Sequence, residues 1–281
     1  LHQLTDSEGP LTLTRVVDHL NSLAPLHLRE PWDNVGLLVE PPTSRTIKTV
    51  FLTNDLTMPV LQEAMNVSAD MIISYHPPIF KGLKKVTCNN WKEKIIGLCV
   101  ENSIAVYSPH TCWDVMSGGT ADWLASKIPN NFTDRDFIVH VLDGLLPEPQ
   151  RMARQVNPET IEDLEKEIRN IEEALKLKIA LVPGSGASVL LEACGDAELF
   201  LTGEMSHHEL LDANHQNVTV ILAHHSNTER GFLRVMAQKL RSTFSTWPGT
   251  SIVVSDKLAI SDASKERASL SFVFKILVGL C

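Results

Sequence analysis

Six short apolar runs, each stopped by glycine, histidine or an acidic residue and each followed by a helix-like segment, set the strongest limit on how this chain can fold. They occupy 47–55, 69–78, 104–110, 178–188, 197–204 and 217–225. A strand that is apolar on both faces needs cover on both faces. Strands alternating with helices therefore predict mostly parallel α/β sheets, and in such sheets ligand groups gather where the strands end. Ahead of these runs, Val16, Val17, Leu20 and Leu23 recur at helical spacing and Pro25 closes that helix. The turn-rich PWDNVGLLVEPP then enters a strand through Val35, Leu37 and Leu38.

A length of 281 residues accommodates two modest lobes. The alternation breaks once, which divides the chain into a first α/β lobe at 1–128, a connector at 129–177 and a second α/β lobe at 178–281. Within the connector Leu164, Ile168, Ile171 and Leu175 repeat at helical spacing among charged residues, the pattern of a solvated amphipathic helix over 161–175. The chain starts at Leu1, as expected of a fragment.

With 25 Lys and Arg against 34 Asp and Glu, the net charge of −9 argues against direct nucleic-acid binding. The apolar tail at 269–281 is too short to span a bilayer and is interrupted by Lys275, so no membrane role is expected. Five cysteines without a CxxC pair suit a reducing compartment, and the expected location is cytoplasmic, with a nuclear share allowed.

Imidazoles and carboxylates fall at four of the strand ends. His76 follows one run, His110 and Asp114 another, Glu204 a third, and His225 with Glu229 a fourth. His225 and Glu229 are four residues apart, as are His110 and Asp114, so each pair can offer nitrogen and oxygen to one ion if a helix has begun. A thiolate-free set of this kind suits Zn²⁺, Fe²⁺, Mn²⁺ or Co²⁺. Glu204 has two readings, helix cap or general base. VPGSGAS also has two: a turn presenting N–H groups to an anion, or a tight turn that allows close backbone packing. His215 reads as a surface loop residue, and Cys112 as a small core thiol more than a nucleophile.

PWDNVGLLVE, FLTNDLT, SYHPPIF, YSPHTCWD, GSGASVL, LTGEMSHHELLDA and HSNTERGFL, taken in order, resemble the NIF3-like family, also labelled GTP cyclohydrolase 1 type 2 homologues. The resemblance covers about 12–128 and 178–243 and implies two α/β lobes, with mixed or mostly parallel sheets, around a dinuclear metal centre. It places metal ligands on His76, Asp114, His225 and Glu229, with His110 as a neighbour or additional ligand. Two divalent ions (Zn, Fe or Mn) are the implied cofactors and a homo-oligomer the implied assembly. Many bacterial relatives carry a second histidine where this chain has Tyr75, which predicts a weaker second metal position. The central region is expected to be shorter than in eukaryotic relatives, with the domain inserted there reduced or absent.

Two functions remain open. One is a metal-dependent hydrolase of a small phosphorylated or nucleotide-like metabolite. The other is a non-enzymatic metal-binding scaffold that takes part in transcriptional regulation through protein partners.

Overall fold

The computed structural model describes residues 9–43, 45–127, 179–193 and 195–257, together with the backbone of 134–136, 139–142 and 154–155. The charged helix expected over 161–175 and the apolar tail at 269–281 lie outside the described residues.

Helix α1 (Leu13–Leu23) begins where the Thr12 hydroxyl accepts the Arg15 N–H at 3.3 Å, and Val16 and Leu20 on its apolar stripe are buried. The first sheet collects β1 (Gly36–Val39), β2 (Thr49–Thr53), β3 (Met71–Ser74) and β4 (Ala105–Ser108). Helix α2 (Met58–Asn66) joins β2 to β3, and α3 (Trp91–Glu101) joins β3 to β4. Two short helices follow, α4 (Thr111–Val115) and α5 (Thr120–Ala125); sequence periodicity indicates only the second.

The second sheet contains β5 (Asp134–Asp136), β6 (Val139–Leu142), β7 (Arg154–Gln155), β8 (Ile179–Ser185), β9 (Leu199–Glu204) and β10 (Thr219–Leu222), in the order β5-β6-β8-β9-β10-β7. Helices α6 (Ala187–Ala193) and α7 (His207–His215) connect its parallel centre, and α8 (Phe232–Thr243) leads to β11 (Ser251–Val254). Strand β11 lies in the first sheet, whose order is β1-β4-β3-β2-β11, with Ile252 opposite Val50 and Val254 opposite Leu52. The segment read as the second lobe therefore returns to the first. So short a run gives no clear strand signal, and only the open edge of β2 supplies its partners. Three pairings are antiparallel, β1 with β4, β5 with β6 and β6 with β8; the others are parallel.

One apolar core joins both sheets. Val50, Leu52, Met71, Ile73 and Tyr107 from the first share it with Leu181, Leu199, Leu201 and Ile221 from the second, with Trp113, Phe232, Met236 and Leu240 packed between. Successive strand residues point to opposite faces, so Phe51, Ile72 and Val106 pack outward against α2 and α3. Ala180, Val182, Phe200 and Val220 pack likewise beside Leu190 and Ala213. The shared core holds the carboxyl ends of β2 and β3 opposite those of β8, β9 and β10.

A candidate metal centre between the sheets

His76 stands two residues beyond β3, and its N–H donates to the Asn54 carbonyl at 3.0 Å, which prolongs the sheet to the point where the imidazole leaves it. His225 stands at the corresponding end of β10. The two rings meet Nε2 to Nε2 at 3.1 Å. Glu229 joins them, with Oε1 3.1 Å from His225 Nε2 and Oε2 3.4 Å from His76 Nε2. His76, His225 and Glu229 each offer a ligand atom within 4.8 Å of the other two.

Each imidazole is fixed from behind by a carboxylate. His76 Nδ1 lies 2.9 Å from Asp55 Oδ1, and His225 Nδ1 lies 2.9 Å from Glu204 Oε1. A neutral imidazole that donates from Nδ1 keeps its lone pair on Nε2, so both lone pairs converge on the point that Glu229 faces. Two lone pairs and a carboxylate at this distance repel unless protons or a cation lie among them. Burial pushes both imidazoles toward lower pKa, but Glu229 together with Asp55 or Glu204 outweighs it and raises His76 to about 10 and His225 to about 9. Burial pushes Glu229 up in turn, and the two histidines outweigh that and bring it down to about 2. A divalent ion answers the same charge pattern as those protons, and the N₂O donor set fits Zn²⁺, Fe²⁺ or Mn²⁺.

Space beside the group is reserved by a glycine. Gly184 has φ +68°, and a Cβ there would stand 2.5 Å from Glu229 Oε1 and 3.0 Å from His225 Nε2. Its N–H donates to Thr228 Oγ1 at 2.8 Å, and the Gly186 N–H donates to Thr202 Oγ1 at 3.1 Å. A Cβ on Gly186 would also press on Val182 at 2.5 Å. These two N–H groups are already satisfied within the protein, and the close approaches at both glycines fit the close-packing reading of VPGSGAS. The buried Asn54 amide donates to Glu229 Oε2 at 3.1 Å, while its Oδ1 has no partner among the described residues, leaving one polar acceptor beside the cluster unsatisfied.

Of the four residues proposed as ligands, His76, His225 and Glu229 come together and Asp114 stands apart from their ligand atoms. Asp114 instead accepts a hydrogen bond from the hydroxyl of Tyr75, which is buried. Burial, Asp114 and Glu229 all push the Tyr75 phenol well above its ordinary pKa, so it remains a donor. Burial raises the Asp114 carboxyl to about 6 although the Tyr75 hydrogen bond opposes the shift. His110 turns elsewhere too: its Nδ1 lies 2.7 Å from Asp33 Oδ1, and φ of +34° at its backbone swings the chain into α4. The HxxxD spacing therefore sends its two side chains to different partners.

The HxxxE pair works through a different local structure than expected. A 3-10 turn (Ser226–Thr228) separates His225 from Glu229, and α8 begins only at Phe232. Glu204 neither caps α7, whose cap is Ser206, nor reaches the centre; it holds His225. His215 lies on the last turn of α7 and is exposed, rather than in a loop. Cys112 is buried and its thiol is pushed up to about 11, which fits a core residue. Sequence reading misses Asp55, Asn54 and Asp33. Asn54 and Asp55 stand in view as the polar end of the 47–55 run, but nothing local distinguishes them from a turn.

The Duf34/NIF3 (NGG1p interacting factor 3) family description matches residues 11–258. The chain is 42% identical over 285 residues to NIF3-like protein 1 of Drosophila melanogaster, with 94% of each chain covered. It is 33% identical over 336 residues to NIF3-like protein 1 of Homo sapiens, covering 84% of this chain and 88% of that one. Its fold is similar to the crystal structure of a Staphylococcus aureus hypothetical protein, with TM-score 0.70 at 23% identity, over 89% of this chain and 97% of the other.

Proposed function

The chain belongs to the Duf34/NIF3 family, and on that footing we propose that it is a divalent-metal-dependent hydrolase of a small phosphorylated or nucleotide-like metabolite. The observation that carries this reading is the convergence of two Nε2 atoms and the Glu229 carboxylate at the mouth of two sheets, with the Nδ1 of each imidazole 2.9 Å from its own acid.

A divalent ion held by His76, His225 and Glu229 supplies Lewis acidity, polarising a phosphoryl or carbonyl oxygen and making water more acidic. The protein's part is positional. Asp55 and Glu204 orient the imidazoles, Asn54 steadies Glu229 from the side, and Gly184 keeps the near wall free of side chain. Asp114 can hold a proton close to neutral pH, because its carboxyl is raised to about 6 and its partner Tyr75 keeps its own proton. The substrate would enter as an anion drawn by the bound cation rather than by the acidic surface.

The test is a screen of small phosphoesters and nucleotides with Zn²⁺-, Fe²⁺- or Mn²⁺-loaded protein. Turnover that disappears in Glu229→Ala and on chelation supports the reading. Background turnover throughout, or turnover that survives Glu229→Ala, overturns it.

A second reading, a metal-binding scaffold acting in transcriptional regulation through protein contacts, draws on the NGG1p-interacting name of the family and on Tyr75, which sets a protonated phenol beside His76. Substitutions in 161–175 that abolish partner capture while Glu229→Ala does not would favour it. The assembly that goes with either reading is a homo-oligomer, in the cytoplasm with a nuclear share. Light scattering that returned the chain mass of 31.2 kDa would reject the oligomer.

A further inference from the structure

Two exposed aromatic rings near the candidate metal centre stand on loops that polar contacts tie together. Trp32 is 59% exposed and Phe80 43% exposed, so two large aromatic rings face water side by side. Their rings meet edge to face at 5.9 Å. Both also pack on His110, Trp32 at 6.0 Å and Phe80 at 6.3 Å between centroids. His110 in turn packs on His76 at 5.3 Å, so the exposed pair is two ring contacts from a proposed ligand.

The three segments that carry these rings are tied together. The Asn34 amide donates to the Ile79 carbonyl, which joins the Trp32 loop to the Phe80 loop. Asp33, almost wholly buried, accepts from His110 Nδ1 at 2.7 Å and from the Thr111 hydroxyl at 2.6 Å. The Glu30 N–H donates to the same hydroxyl at 3.1 Å. These contacts, the Thr111–Asp33 pair buried and the others partly so, fix the loops that carry the aromatic surface beside the candidate centre. Directly after Phe80, exposed Lys81, Lys84 and Lys85 form a basic stretch in a chain of net charge −9.

We propose that Trp32, Phe80 and His110 form an aromatic rim that receives the planar ring of a phosphorylated heterocycle, of the nucleoside monophosphate class, while its phosphoryl group faces His76, His225 and Glu229. The proposal rests on the hydrolase reading and narrows its substrate. Edge-to-face rings present both faces and edges, which suits a flat ring without fixing its hydrogen bonds, and the lysine stretch favours an anion over a neutral ring. A free small molecule fits better than a nucleic acid strand, because the chain as a whole is acidic.

The experiment is calorimetry on Mn²⁺-loaded protein with adenosine 5′-monophosphate, ribose 5-phosphate and inorganic phosphate as probes. The expected result is at least tenfold tighter binding of the nucleotide than of ribose 5-phosphate. Trp32→Ala and Phe80→Ala should each bring the ratio toward one, and Trp91→Ala, an exposed tryptophan outside the ring group, should keep it. Equal affinity for nucleotide and ribose 5-phosphate, or a ratio that survives both rim substitutions, overturns the rim and leaves the hydrolase reading standing. Binding of none of the three probes overturns both. A drop in assembly mass in Trp32→Ala with the ratio intact also overturns the rim and assigns the surface to a contact between copies.

Discussion

His76 and His225 come from different sheets, 149 residues apart in the chain, and face each other Nε2 to Nε2 at 3.1 Å. Neither sheet alone makes a ligand pair of them. Because the sheets share one core, the distance is set by packing, and substitutions can reach the centre by several routes.

The carboxylates behind the imidazoles should matter almost as much as the ligands. Asp55→Asn and Glu204→Gln each replace a charged acceptor at 2.9 Å with an amide, and each is expected to weaken divalent-ion affinity by ~10–100-fold with little loss of fold. A competition titration against a chromophoric chelator measures this. Unchanged affinity in both variants would remove their positioning role.

Proton competition gives the centre a pH dependence of known sign. With no ion bound, His76 and His225 titrate near about 10 and 9, above the ordinary histidine value, so their stabilisation is complete below ~6.5 and is lost as pH rises through the folded values. An ion must displace those protons. Its affinity should therefore rise between pH ~6 and ~8.5, and the gain in melting temperature on adding Zn²⁺ should widen over the same interval. A gain that is flat or shrinks with pH would contradict the proposed donors.

Gly184→Ala should be damaging out of proportion to one methyl group. It combines a left-handed φ of +68° with a Cβ 2.5 Å from Glu229 Oε1. The expected cost is ~1–3 kcal/mol of stability together with lost ion binding. Gly195→Ala, where a Cβ meets nothing within 4 Å, is the control and should stay within ~0.5 kcal/mol. Denaturant melts and elemental analysis read both effects, and equal behaviour of the two variants would refute the close-approach argument.

Tyr75 bears on the ion count. Its phenol donates to Asp114 and keeps its proton, so the wild-type chain should hold one ion tightly and a second weakly. Tyr75→His should raise occupancy of the second position, and His215→Ala, on the far turn of α7, should change neither. Elemental analysis with anomalous diffraction counts and places the ions. Two equally full positions in the wild-type chain would defeat the asymmetry.

Local periodicity makes the strands and their chemical ends legible from the amino-acid order. Apolar runs such as 69–78 and 197–204, set between helical patterns, require parallel strands, and the polar groups at the ends of such runs mark His76, His225 and Glu229. Ordered motifs on both sides of the centre are enough for a family resemblance. Which acids stand behind the imidazoles is settled only by tertiary packing, because Asp55 and Glu204 touch them across 21 residues of chain in each case. Packing also separates two pairs with the same four-residue spacing. His225 and Glu229 converge over a 3-10 turn, whereas His110 turns to Asp33 and Asp114 to Tyr75. Spacing limits how far two side chains can reach, but the direction each takes depends on partners supplied by distant strands and loops. The same reason hides β11, which becomes a strand only because β2 offers it an edge.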